Sequence, residues 1–160
     1  MQMEVVEVEK KEGVNTILAQ AHFIKTVEDV YEALVTSCPG IRFGLAFNES
    51  SGPRLIRTEG NSEEMIHMAQ NAAMKIGAGH LLVIMLENAF PINVIRHLRE
   101  VAEILCIYCA TANPLSVVVA SEGEARGVMG VLDGLKPLGV EGDKEKKERH
   151  EFLRHIGYKR

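Results

Sequence analysis

The sequence predicts a single α+β domain in which helices pack on a mixed, largely antiparallel sheet. Strand-like alternation and helical stripes interleave along all 160 residues, with no tandem repeat and no long linker. Some successive strands are separated by hairpin-length turns and others by helices, which disfavours a doubly wound parallel sheet. A hydrophobic fraction of 46% with 25% charged residues supplies a core without disulfide staples.

Each element has its own signal. Val6 and Val8 alternate with Glu7 and Glu9, a turn follows at Lys10-Lys11-Glu12-Gly13, and Asn15 to Phe23 resumes the pattern, so residues 1–23 predict a β-hairpin. In its second strand Ile17, Ala19, Ala21 and Phe23 share one face, which leaves His22 with Thr16, Leu18 and Gln20 on the more polar one. Thr26 with Asp29 is a near capping box for a helix striped by Val27, Val30, Tyr31, Leu34 and Val35 and stopped before Pro39-Gly40. Ile41 to Phe47 predicts a strand and Leu55-Ile56-Arg57 another. Asn61 with Glu64 caps a second helix whose stripe, Met65, Ala69, Ala72, Ala73 and Ile76, ends at Gly77.

The run Leu81 to Leu86 suits a central strand. Pro91 opens a helix with Ile95, Leu98 and Ala102 on its apolar face. Ile104–Ala110 predicts a buried strand and Val117–Ala120 another, joined by the turn Thr111-Ala112-Asn113-Pro114. Gly127 and Gly130 inside the strand-like run after Glu124 suggest a bulge, or close approach of a ligand or a neighbouring backbone. Residues 139–160 predict a docked, mostly solvated helix anchored by Phe152, Leu153 and Ile156 and ending at Gly157.

Composition excludes several classes of function. An aromatic fraction of 5% without Trp leaves few platforms for stacking single-stranded nucleic acid, and a net charge of −4 disfavours nucleic acid and anionic membranes as partners. No apolar run reaches the ~18 residues of a spanning helix and Met1-Gln2-Met3-Glu4 begins no signal peptide, so the expected location is the cytoplasm. Cys38, Cys106 and Cys109 fit a reducing compartment. Cys106 and Cys109 form a C-x-x-C, but residues three apart on a strand face opposite ways and no second pair follows. Gly77 and Gly79 form a G-x-G between a helix and a strand, the reverse of the dinucleotide-binding order.

Two stretches carry chemistry. At Gln20 to Thr26 a strand end meets a helix start, where unpaired backbone N–H groups and the helix dipole favour an anion beside His22 and Lys25. The loop Asn48 to Arg54 holds a carboxylate, two hydroxyls, a glycine that lets backbone approach a ligand and an arginine able to grip phosphate; the same residues also suit a solvated hairpin turn.

Seven blocks together resemble the small prokaryotic adenosine-specific kinase family. They are residues 20–26, Ser51-Gly52-Pro53-Arg54-Leu55, residues 77–80, Asn88 to Asn93, Cys109 to Pro114, Arg126 to Gly134, and Phe152 to Tyr158, in matching order over nearly the whole chain. The resemblance implies a compact α+β homo-oligomer, a trimer, that binds adenosine or AMP and handles a phosphoryl group.

No G-x-x-x-x-G-K-[ST] and no protein-kinase signature set is present, so phosphates must be held by other cations and N–H groups. On this resemblance His22 is the phosphoryl acceptor or the general base toward a ribose hydroxyl, with Lys25 and Arg54 as neutralising cations. The ligand-binding candidates are Glu49, Gly52, Pro53, His80, Asn88, Asn113, Arg126 and Asp133. Glu49 and Asp133 would hold Mg²⁺ with a nucleotide substrate or bond the ribose, Asn88 and Asn113 would meet the adenine edge, and His80 is the second histidine choice. A non-catalytic adenosine or AMP sensor is the alternative.

Overall fold

The apolar run at 81–86 is the middle of the molecule. In the structure, a computed structural model describing residues 1–160, it forms most of β5 (Leu81–Glu87), and every residue from Leu81 to Leu86 is buried. A strand without a polar face needs cover on both sides, and the rest of the chain supplies it.

β5 is the third strand of a five-stranded sheet whose order is β4-β3-β5-β2-β6, with β2 at Asn15–Ala21, β3 at Arg42–Asn48, β4 at Ile56–Gly60 and β6 at Ile104–Thr111. One face carries α1 (Thr26–Val35) and α3 (Pro91–Arg99), whose Val27, Val30, Leu34, Val94 and Leu98 pack against Ile17, Phe43, Leu45, Leu82 and Ile84. The other face carries α2 (Glu63–Ile76) and a second, three-stranded sheet of order β1-β7-β8, built from Gln2–Glu7, Leu115–Glu122 and Ala125–Asp133. All strand pairings are antiparallel. The α+β class is therefore borne out, with two sheets in place of one. The stripe of α2 is buried as its spacing predicts. No helix is long and apolar enough to cross a membrane.

Several local expectations fail for tertiary reasons. The N-terminal strands form no hairpin: β1 pairs with β7, while β2 crosses to lie between β5 and β6. As an interior strand β2 is buried on both faces, so the side of Thr16 and Leu18 is covered too, and His22 lies beyond the strand end. Asn61 does not cap α2; its side chain ties β3 in place, accepting from Phe43 N at 2.8 Å and donating to Ile41 O at 2.9 Å. In α3 it is Val94 and Leu98 that are buried, with Ile95 half-buried and Ala102 exposed.

β6 is an edge strand that leaves Leu105 and Cys106 exposed. Burial pushes the Cys109 thiol up to about 11, which makes it a poor nucleophile or ligand near neutral pH. The predicted bulge is present in β8, where Val118 pairs with Gly130 and Val119 with Val128, leaving Met129 extra. The final helix, α4 (Asp143–His155), has no buried residue and is not docked on its own chain.

Helix α2 crosses β3 at Gly44. A Cβ there would stand 2.1 Å from Ile66 N and 2.3 Å from Met65 C, both main-chain atoms that no rotamer change can move. Gly44→Ala should therefore lower stability by about 3 kcal/mol, the upper end of overpacking penalties. Urea denaturation measures this, and a loss under about 0.5 kcal/mol, as for a surface change, would contradict the packing described.

Candidate functional site

One end of the central sheet gathers most of the unusual features. Of the four non-glycine residues with positive φ, Phe23 (70°), Arg54 (51°) and His80 (60°) lie at this end, and only Asn88 (59°) lies at the other. A left-handed conformation costs an L-residue roughly 1–2 kcal/mol, so such a cluster marks a place the fold holds against local preference.

The hydrogen bonds show how it is held. His80 N donates to Asn48 O at 2.8 Å and His80 O accepts from Ala21 N at 3.0 Å, so the start of β5 ties the ends of β3 and β2 together. The imidazole of His80 stacks on Phe47, with centroids 5.9 Å apart and planes 9° from parallel. Gly79 lies so close to the loop after β3 that a Cβ would come 2.8 Å from Ser50 Cβ.

That loop, the C-terminal end of α2 and the β7–β8 turn enclose a cleft of about 950 Å³. Arg54, Arg57 and Arg126 line it together with Glu49, Ser50, Pro53, Gln70, Gly77, Gly79 and Glu124. Each guanidinium has a carboxylate. Arg57 donates to Glu49 Oε2 through Nε and Nη2 at 3.1 and 2.7 Å, Arg54 meets Glu124 at 3.0 Å, and Arg126 meets Glu4 at 2.5 Å while its Nε donates to Ile76 O at 2.9 Å. The Arg54–Glu124 pair is 61% and 85% exposed, a kind of pair that contributes at most about 1 kcal/mol, so an anionic ligand can take Arg54 from Glu124 at small cost. Gly52 does not line the cleft. Its φ of 59° shapes the turn that Arg54 N closes onto Ser51 O at 3.2 Å.

The corner at residues 20–26 adjoins this cleft across β4. Ile56, Arg57 and Thr58 line both the large cleft and a smaller one of about 450 Å³ that also contains Ile24 and Lys25. The helix end here is not an open anion site. Thr26, Val27, Glu28 and Asp29 N–H groups donate back to Phe23, Ile24 and Lys25 carbonyls, and the Thr26 hydroxyl turns backward to His22 O and Phe23 O at 2.8 and 2.7 Å instead of capping the helix. Lys25 is held between Asp29 and the buried Glu103, 2.6 Å from the latter, and these hydrogen bonds push its ammonium well above its ordinary value. Asp29 is lowered in turn, mainly by Lys25. The His22 residue is exposed, and its backbone N donates to Glu103 O at 3.1 Å.

Three proposed ligand-binding residues stand elsewhere. His80 precedes β5 and Asn88 follows it, so the seven residues of the strand, about 23 Å at ~3.3 Å each, separate the two. Arg126 and Asp133 are likewise at opposite ends of β8. Asp133 Oδ1 accepts from Thr111 Oγ1 at 2.6 Å and from Asn113 Nδ2 at 3.1 Å, and Asn88 Nδ2 reaches Gly40 O at 3.4 Å. These contacts secure turns. The carboxylates suggested for Mg²⁺, Glu49 and Asp133, are thus far apart and both already bonded, so they do not fit a resident magnesium site.

Other cleft residues escaped the sequence reading. Arg57 and Glu124 have the pattern of ordinary strand and turn residues, and Asn48 enters the sequence reading only as the first residue of the polar loop that ends at Arg54. Asn48 is buried, and its Nδ2 donates to Ala73 O and Ala78 O at 3.0 and 2.9 Å, fixing α2 against the loop. A polar residue closing the apolar run at 41–47 was its one signal.

The chain is similar to the PH1918 protein from Pyrococcus horikoshii OT3, whose crystal structure it matches with a TM-score of 0.95 at 45% identity, over 99% of this chain and 98% of that one. A search among curated proteins found no match. The family model described as adenosine specific kinase matches residues 6–159, and the chain belongs to that family.

Proposed function

We propose that this protein binds adenosine or AMP in the cleft walled by Arg54, Arg57 and Arg126, acts in the cytoplasm as a homo-oligomer, a trimer by family resemblance, and transfers a phosphoryl group through His22. The observation that carries the binding reading is the convergence of three guanidiniums on one cleft of about 950 Å³, within the usual volume of small-ligand sites. Arg54 is the phosphate ligand in this reading, because its present partner is exposed and easily displaced. Glu49, held by Arg57, is placed to accept from ribose hydroxyls, and Gly77 and Gly79 let the ligand approach the main chain.

For the chemistry, His22 supplies a side chain outside the strand, next to the strained Phe23. An imidazole nitrogen forms the N–P bond while the donor's P–O bond breaks, its electron pair leaving on the donor oxygen. Attack by an adenosine hydroxyl oxygen then breaks the N–P bond, and the hydroxyl proton passes to the released nitrogen. Lys25 is already neutralised by two carboxylates, so its part is to hold the His22 segment through Glu103.

One observation favours the sensor alternative: His22 does not line the large cleft. Incubation with labelled ATP and adenosine separates the two readings, since a sensor yields neither labelled product nor labelled protein.

His22→Ala should retain adenosine binding by calorimetry and lose transfer together with any acid-labile phosphate on the protein. Unchanged turnover would remove His22 from the mechanism. Arg54→Ala should weaken AMP by about tenfold or more, the scale of one charge-assisted hydrogen bond, and adenosine much less. Equal affinities of wild type and variant for AMP would move the phosphate away from Arg54. Gly79→Ala, by displacing Ser50, should weaken both ligands alike, and unaltered binding of both would dissociate the β3–β4 loop from the site.

A further inference from the structure

The last 26 residues have no partner in their own chain. After Gly134 N donates to Pro114 O, every hydrogen bond and ion pair made by residues 135–160 is internal to that segment. Leu135 and Leu138 are 99% and 102% exposed and Val140 is 98% exposed, while Phe152 and Tyr158 are exposed as well. A 13-residue helix with no buried side chain is marginal in water by itself, since helix stability in proteins comes mostly from packing. The arm is built to lie on something.

A matching surface exists on the three-stranded sheet. Its inner face buries Leu115, Val117 and Val119, and its outer face carries Met3, Val5, Val118, Ala120 and Leu132, with the polar Glu7 and Ser116 in the row of Leu132. The register sets out cross-strand rows on that outer face: Met3–Ala120–Gly127, then Val5–Val118–Gly130, with Leu132 beyond. Met3 and Val5 are exposed, as is the bulged Met129 at the edge.

The glycines leave this trough open for an occupant. Glycine inside a strand weakens it, so each calls for a reason. Neither Gly127 nor Gly130 has a positive φ, and a Cβ on either would meet nothing within 4 Å. The bulge at Met129 accounts for Gly130 beside it, whereas Gly127 stands in regular register opposite Ala120, where a bare strand backbone suits a body laid directly on it.

We infer that the arm of a second copy of this chain occupies the trough, with Leu135 and Leu138 of the donor seated over Gly127 and Gly130 of the acceptor, so that each copy gives one arm and receives one. The inference rests on the proposed assembly only in requiring more than one copy, and it is independent of adenosine binding.

Disulfide trapping in the full-length protein tests it. Leu138→Cys and Met129→Cys are made separately and together, each with the exposed Cys106 changed to Ser. Mixing the two single variants under mild oxidation should give a chain dimer that neither gives alone, and the double variant should give a ladder of linked chains. Light scattering of Leu135→Asp/Leu138→Asp should show the oligomer reduced in mass, with a circular dichroism spectrum that still reports the folded core. A wild-type protein that is monomeric at micromolar concentration would overturn the inference, as would a double variant that closes only within its own chain. An assembly unaffected by the aspartates, with no mixed disulfide, would also do so. Adenosine calorimetry on the same samples keeps the two proposals separable, since trapped arms without adenosine binding leave the inference standing and strike the functional reading alone.

Discussion

The fold depends on one constraint, the burial of β5 on both faces. Six consecutive apolar residues from Leu81 to Leu86 expose almost nothing, and a strand of that kind is stable only between two layers. Helices α1 and α3 supply one layer; α2 with the three-stranded sheet supplies the other. Because the second layer includes β7 and β8, their connecting turn is brought beside the C-terminal end of α2. Arg126 then reaches Ile76 O, and the cleft closes at the end of the sheet where β5 begins.

The site's electrostatics follow from that arrangement. Three guanidiniums and their carboxylates share a small volume, so the cleft without ligand is close to charge-balanced, with Arg54 the least committed cation. The neighbouring corner is balanced differently, with the buried Glu103 placing Lys25 and also accepting from His22 N. Backbone hydrogen bonds to the ends of β3 and β2 hold His80, a turn closed onto Ser51 O holds Arg54, and Phe23 O accepts from Thr26 N at the start of α1. A rigid sheet can therefore present loop residues with precision.

Much of this was legible in the sequence, and the losses have physical causes. Periodicity found nearly every element, because burial of one helix stripe or of a whole strand leaves a local signature, as at Met65 to Ile76 and Leu81 to Leu86. Partner choice leaves none: a turn at residues 10–13 looks like a hairpin turn, yet β1 leaves for β7. Caps failed where a side chain had another partner: Thr26 bonds back to the preceding turn at His22 O and Phe23 O, and Asn61 ties β3 in place. In the site, the loop containing Glu49 and Arg54 was visible from its composition. The meeting of Arg54 with Arg57 and Arg126 depends on three distant segments, so no local pattern announces it. Asn88, Asn113 and Asp133 were read for their functional groups, whereas their hydrogen bonds serve turns at the far end. The exposed arm is the converse case: its apolar residues looked like an anchor, and in one copy of the chain they anchor to nothing.

The central claim is that adenosine and AMP bind at the end of the sheet where β5 begins. Hydrogen exchange followed by mass spectrometry, with and without saturating AMP, tests it most directly because it maps the ligand without altering a residue. Slowed exchange in peptides spanning residues 48–58 and 122–126 is the predicted result. Slowing confined to residues 86–93 and 110–114, with the Arg54 loop unchanged, would contradict it.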